Sequence, residues 1–138
     1  MRLIIYSIFF SILTFSACSL ISDEDDSSSD INLEDLTQHW VHSFEEEPQE
    51  SDVNIYRTND YKEFSASRFR MQYIFKGDGD CGWFYLAPDD GHHFRSGKWQ
   101  IDAGDAQVLT IEQDEQILRY RIMELNKEIL RLTRINTK

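Results

Sequence analysis

From Trp40 onward, apolar side chains recur at every second position in short runs separated by turn residues. Trp40, His42 and Phe44 alternate with Val41, Ser43 and Glu45. Phe69, Met71, Tyr73 and Phe75 alternate with Arg70, Gln72, Ile74 and Lys76, the clearest half-buried strand in the chain. Residues 81–86 resume after Gly77-Asp78-Gly79, and 94–101 follow Pro88-Asp89-Asp90-Gly91 with Gly97, Trp99 and Ile101 on one face. Gly104-Asp105 leads to 108–112, then 116–124 sets Leu118, Tyr120 and Ile122 opposite Arg119 and Arg121. Asn126-Lys127 turns into 128–135, where Leu130 and Leu132 share a face, and 53–57 is a weaker strand candidate. Helical patterning is confined to one short turn over 32–37, with Asn32 as its cap.

Short strands at regular spacing, without any strand–helix–strand alternation, predict an all-β fold: a small antiparallel up-and-down meander. Each strand has one apolar face to bury, and closing the meander into a barrel also removes the exposed edges. About eight strands is the size at which a barrel is either packed solid or holds one small ligand. Residues 31–138 supply enough chain for one such domain and too little for two.

The N-terminus follows different rules. Arg2 precedes an apolar stretch over 3–15, and the small residues Ser16 and Ala17 come before Cys18, the layout of a secretory signal. The stretch is shorter than the roughly 20 residues of a spanning helix. Phe15-Ser16-Ala17-Cys18 resembles the bacterial lipobox, with Phe15 where leucine is usual. That resemblance implies cleavage after residue 17, a diacylglyceryl group on the Cys18 thiol, and attachment of the mature chain to a membrane through two or more acyl chains. Residues 18–30, serine-rich with Asp23, Glu24, Asp25, Asp26 and Asp30, have too little apolar surface to fold and read as an acidic tether. Acids soon after the cysteine resemble the surface-export signals of some diderm bacteria, and Ser19 resembles lipoproteins of the outer membrane. The expected address is the cell envelope, lipid-anchored at the outer membrane and surface-exposed.

Charge narrows the partners. The formal net charge is −11, which repels phosphate backbones and disfavours nucleic acid. No polybasic patch is present to hold anionic lipid, so attachment falls to the N-terminal lipid.

The tryptophan on the first strand, the meander that follows, and the arginines of the final strand together resemble lipocalin-like domains of the calycin type, over about residues 36–135. Gln38 stands where that family has glycine, and no long helix follows Ile135. The resemblance implies a barrel whose base is closed by Trp40, with Arg131 or Arg134 of the last strand laid across its indole. It also implies a small apolar ligand or another envelope protein as partner. The alternative is a structural or assembly lipoprotein with a filled core.

Candidate chemistry is sparse. His92 and His93 follow Asp89 and Asp90, but neighbours on a strand face opposite ways, so a shared metal is disfavoured. Glu45, Glu46, Glu47 and Glu50 lack calcium-loop spacing and read as a solvated strand end and loop. Cys81, flanked by Asp80, reads as a small half-buried side chain. Arg68 and Arg70 reach either acids or a partner. Tyr73, Phe75, Trp83, Tyr85, Phe94, Trp99 and Tyr120 either line a cavity or fill the core. Nucleophile elbows, phosphate loops and dinucleotide fingerprints are all missing from the sequence. The expectation is a non-enzymatic protein with no resident metal or cofactor.

Overall fold

A computed structural model describes residues 31–89 and 91–136; the signal (1–17), Cys18 and the tether (18–30) lie outside the described residues. A one-turn helix α1 (Leu33–Leu36) leads into eight strands: β1 (His39–His42), β2 (Val53–Thr58), β3 (Gln72–Phe75), β4 (Asp80–Leu86), β5 (His92–Ile101), β6 (Val108–Gln113), β7 (Gln116–Leu125) and β8 (Ile129–Arg134). They close into one antiparallel barrel in the order β1-β2-β8-β7-β6-β5-β4-β3. Local chemistry sets the turns. Asn32 Oδ1 caps α1 by accepting from Glu34 N at 3.1 Å. Asn126 Oδ1 accepts from Glu128 N and Ile129 N in the β7–β8 hairpin. Gly79 takes the left-handed φ of +86° that the β3–β4 turn requires.

The inward positions fill the barrel. Leu36, Trp40, Leu109, Ile111, Leu130 and Leu132 have no exposed surface, and Tyr73, Phe75, Cys81 and Ile122 add to the same cluster. A file of rings runs from rim to base: His42–Tyr56 at 5.1 Å, Tyr56–Tyr73 at 5.7 Å, Tyr73–Phe75 at 5.5 Å and Phe75–Trp99 at 5.6 Å between centroids. Buried aromatics remove about 150–250 Å² each from water, so this file dominates the apolar stabilisation. At the base, Trp40 Nε1 donates to the Leu36 carbonyl at 2.9 Å and Trp99 Nε1 to the Lys76 carbonyl at 2.8 Å.

The strand order departs from a simple meander. β1 sits between β2 and β3, and β8 pairs with β2 rather than with β1. Because β2 and β3 both run antiparallel to β1, residues 59–71 must travel from the base back to the rim, over the outer face of β1. This strap explains why Val41, on the outward face, is only 3% exposed. It also makes the expected 69–75 strand start late: β3 begins at Gln72, and Phe69 stacks on Phe84 outside the barrel. Likewise Phe44 does not continue β1. The chain bends at buried Ser43, whose N–H donates to the Ile55 carbonyl, and Phe44 enters a 3-10 turn with its ring exposed.

That 3-10 turn anchors the strap: Glu45–Glu47 do follow a strand end, with Glu45 exposed, but all three acids are hydrogen-bonded rather than simply solvated. Arg70, buried, donates to both oxygens of Glu45 at 3.0 and 2.6 Å and to the carbonyls of His42 and Ser65. Glu46 accepts from Arg57 and Lys62, and Glu47 from His42 and from the Ile55 N–H. The Arg70 hydrogen bonds hold the Glu45 carboxyl at about 2, below its ordinary 4.5. A carboxyl whose folded pKa lies below its unfolded value stabilises the fold above the unfolded value and loses that contribution as pH falls toward the folded one. The Tm of the wild-type protein should therefore drop between pH 4.5 and 2 more steeply than that of Glu45→Gln. Parallel curves for the two proteins would remove Glu45 from this role.

The closure arginines require a correction. Arg131 points outward and pairs with Glu124 at 3.1 Å. Arg134 is exposed, opposite Tyr120, at the end of β8 away from the base. Neither lies over Trp40, because the strap inserts β2 between the first and last strands. Trp40 itself is fully buried beneath α1, its indole satisfied by Leu36.

Candidate ligand-binding site

The rim of the barrel is the end away from α1, where the β1–β2, β4–β5 and β6–β7 connections gather. A hollow of about 510 Å³ opens there, lined by Trp83, Tyr85, Gln113, Asp114, Glu115 and Gln116. That lies within the roughly 300–1,000 Å³ typical of small-molecule pockets. Its walls come from the inward faces of β4 and β6 and from the two-residue turn Asp114–Glu115, in which Asp114 adopts φ 50°. Aspartate tolerates that left-handed conformation better than most residues.

Arg95 stands beside this hollow, opposite Trp83 in the β4–β5 register. Its guanidinium lies 3.5 Å from the Tyr85 ring centroid and 5.9 Å from that of Trp83, and it donates to Asp114 Oδ2 at 2.7 Å. The ion pair is substantially exposed, at 37% and 50% for the two side chains, so it adds little stability and both groups can turn to a ligand at small cost.

Below the rim is a layer of polar groups. Gln113 Nε2 donates to Tyr73 Oη at 3.0 Å, both buried. Burial pushes the Tyr56 and Tyr73 phenols upward, with Tyr120 and Glu47 adding to the effect at Tyr56 and Tyr56 and Tyr120 at Tyr73. These hydroxyls stay protonated and serve as neutral donors and acceptors. Trp83 differs from the other two tryptophans. Its Nε1–H is buried and has no hydrogen-bond partner, the only such side-chain atom among the described residues. A buried donor left unmade costs about 1–3 kcal/mol.

Other residues singled out in the sequence fall elsewhere. His93 packs edge-on against Tyr85, while His92 lies on the outer face, stacked on Phe84 and hydrogen-bonded to the Arg68 carbonyl. β5 therefore starts at the histidines, two residues earlier than the alternation indicates, and sends them to opposite faces. Phe94 is an outer-face residue, 40% exposed, and lines no interior space. Tyr73, Phe75, Trp99 and Tyr120 fill the core, so of the seven aromatics only Trp83 and Tyr85 face the hollow. Cys81 is a free thiol, buried, and burial together with Asp80 and Glu112 pushes it up to about 11. Among the described residues no three His, Cys, Asp or Glu side chains gather as a metal site, and no helix is long and apolar enough to cross a membrane. The orphan Trp83 N–H and the role of Arg95 are invisible in the sequence. The 81–86 strand was legible, but not which of its residues face inward or which of them stops short of the packed core.

A closed eight-stranded antiparallel barrel, sealed at one end by a short helix over a buried tryptophan and hollowed at the other, is the architecture of a lipocalin-like domain. The lipocalin-like domain family matches residues 36–132, from the end of α1 through most of β8, and the chain belongs to that family. No curated protein and no solved structure gives a match.

Proposed function

We propose that this protein is a membrane-anchored envelope lipoprotein whose barrel binds a small ligand at its open end. The observation that carries the ligand reading is the rim hollow. It has drug-like volume, two aromatic walls, polar groups of both kinds and a buried donor that protein atoms leave unused. The packed ring file beneath it fills the centre of the barrel, which supports the rim as the place a ligand would take. The same filled core favours a second reading, an assembly lipoprotein with no ligand. Native mass spectrometry of protein purified from its own host separates the two: a co-purifying small molecule supports the first, and only the bare protein mass supports the second.

The anchor reading rests on Phe15-Ser16-Ala17-Cys18 after the apolar run. Cys18→Ala should abolish fatty-acid labelling and release the protein from membranes, because it removes the thiol that the lipobox-like residues precede. Normal labelling and membrane retention in Cys18→Ala would overturn it. An outer-membrane, surface-exposed address follows from the residues after Cys18 and is part of the same proposal.

A further inference from the structure

The rim hollow narrows the class of ligand it takes, an inference that rests on reading the open end as the ligand site. Its lining mixes acceptors, the Asp114 and Glu115 carboxylates and the Gln113 and Gln116 amide oxygens, with donors, the amide NH₂ groups, Arg95 beside them and the unpartnered Trp83 Nε1–H. A fatty acid suits this badly. Its carboxylate would meet a rim where Asp114 and Glu115 outnumber Arg95, and its chain would find the interior already occupied by Tyr56, Tyr73 and Phe75. An organic cation suits it less well, since it would compete with the Arg95 guanidinium for both the Tyr85 face and the Asp114 carboxylate. A hydroxyl both donates and accepts, so a neutral polyol ring can use carboxylates, amides and indole N–H together. Trp83 and Tyr85 stand edge to face at 5.4 Å, and once Arg95 turns off the Tyr85 ring it now covers the pair gives such a ring's C–H face an apolar wall. We propose that the rim hollow binds a neutral saccharide, with Trp83 Nε1 donating to a sugar oxygen and Asp114 accepting from a hydroxyl.

The three tryptophans make the test internal. The indole N–H groups of Trp40 and Trp99 are held by backbone carbonyls, so only that of Trp83, buried and without a partner, lacks an acceptor. In ¹H–¹⁵N spectra of the ¹⁵N-tryptophan-labelled full chain, maltose, cellobiose or N-acetylglucosamine should shift the Trp83 indole signal saturably and leave the other two in place. Trp83→Phe, which keeps an aromatic ring, and the surface variant Asp114→Asn should each weaken that saccharide's binding about tenfold, roughly one hydrogen bond to each. If decanoate moves the Trp83 signal and no saccharide does, the rim remains a ligand site and the saccharide assignment is overturned. If none of these probes moves it, the rim reading falls with it. Saccharide binding unchanged in both variants would overturn the assignment of these residues.

Discussion

Trp40→Ala is expected to unfold the domain or leave it close to its unfolding midpoint at room temperature. The indole has no exposed surface and joins α1 to the rest of the core, touching the same cluster as Leu36, Leu109 and Leu130. Truncating a buried tryptophan costs about 3–5 kcal/mol, against a total of about 5–15 kcal/mol for a domain. The substitution also leaves the Leu36 carbonyl without the indole donor that now reaches it at 2.9 Å. Trp40→Phe keeps most of the ring and loses the hydrogen bond, so it should fall between the wild type and the alanine variant. Arg131→Ala and Arg134→Ala should both stay within about 0.5 kcal/mol of the wild type, because the Arg131–Glu124 pair is exposed and Arg134 is remote from the base. Urea unfolding of the four variants checks the order. A Trp40→Ala midpoint equal to that of the wild type would mean that the base is held by something other than this indole.

Much of the barrel was legible because a half-buried strand must alternate. Leu118, Tyr120 and Ile122 face inward, as do Leu130 and Leu132, and the Gly-, Asp- and Asn-bearing turns fall between strands as their chemistry demands. Alternation tells which face a residue takes; it does not tell which strand lies next door. The arginine closure failed for that reason. It assumed that the first and last strands are neighbours, whereas the strap over 59–71 crosses β1 and puts β2 in contact with β8. The strap's own sequence, with Phe64 and Phe69 among polar residues, gave no sign that it covers Val41. What fixes it is long-range: Arg70 reaches Glu45, 25 residues away, and Lys62 reaches Ser43.

The ligand site was legible only in part, for a related reason. The sequence puts Trp83 and Tyr85 in an 81–86 strand and ends the next strand at 112, short of Gln113, whereas depth along the barrel follows from strand stagger, and stagger depends on register. Trp83 and Phe75 therefore look alike in the sequence. One ends beside a polar hollow with an unused N–H, and the other is buried in the ring file.

Gly97 offers the sharpest test of that register. It pairs with Cys81 on one side and Gln113 on the other, where β5 passes close to β6. A methyl group at this position would lie 2.3 Å from the Glu112 carbonyl oxygen and 3.1 Å from Cys81 Sγ. The first obstacle is backbone and cannot rotate aside. In an open sheet β5 would be free to drift outward, but here both of its neighbours are hydrogen-bonded into a closed ring, so relief at β6 strains the pairing at β4. Gly97→Ala should accordingly cost about 3 kcal/mol, at the upper end for inserting a methyl into a packed interior, and should move the Trp83 indole signal, since Trp83 Cδ1 lies 3.4 Å from the added atom. Gly82→Ala supplies the contrast. It lies on the adjacent strand with its new methyl on the outer face, 3.5 Å from Phe94 Cδ1 and 3.7 Å from Ile74 Cβ. Those are ordinary contacts, and replacing glycine inside a strand gains roughly 0.5–1 kcal/mol, so Gly82→Ala should melt at or slightly above the wild-type temperature. Thermal unfolding of the pair decides the matter. Equal stability of the two variants would mean that β5 and β6 do not approach each other as this register requires.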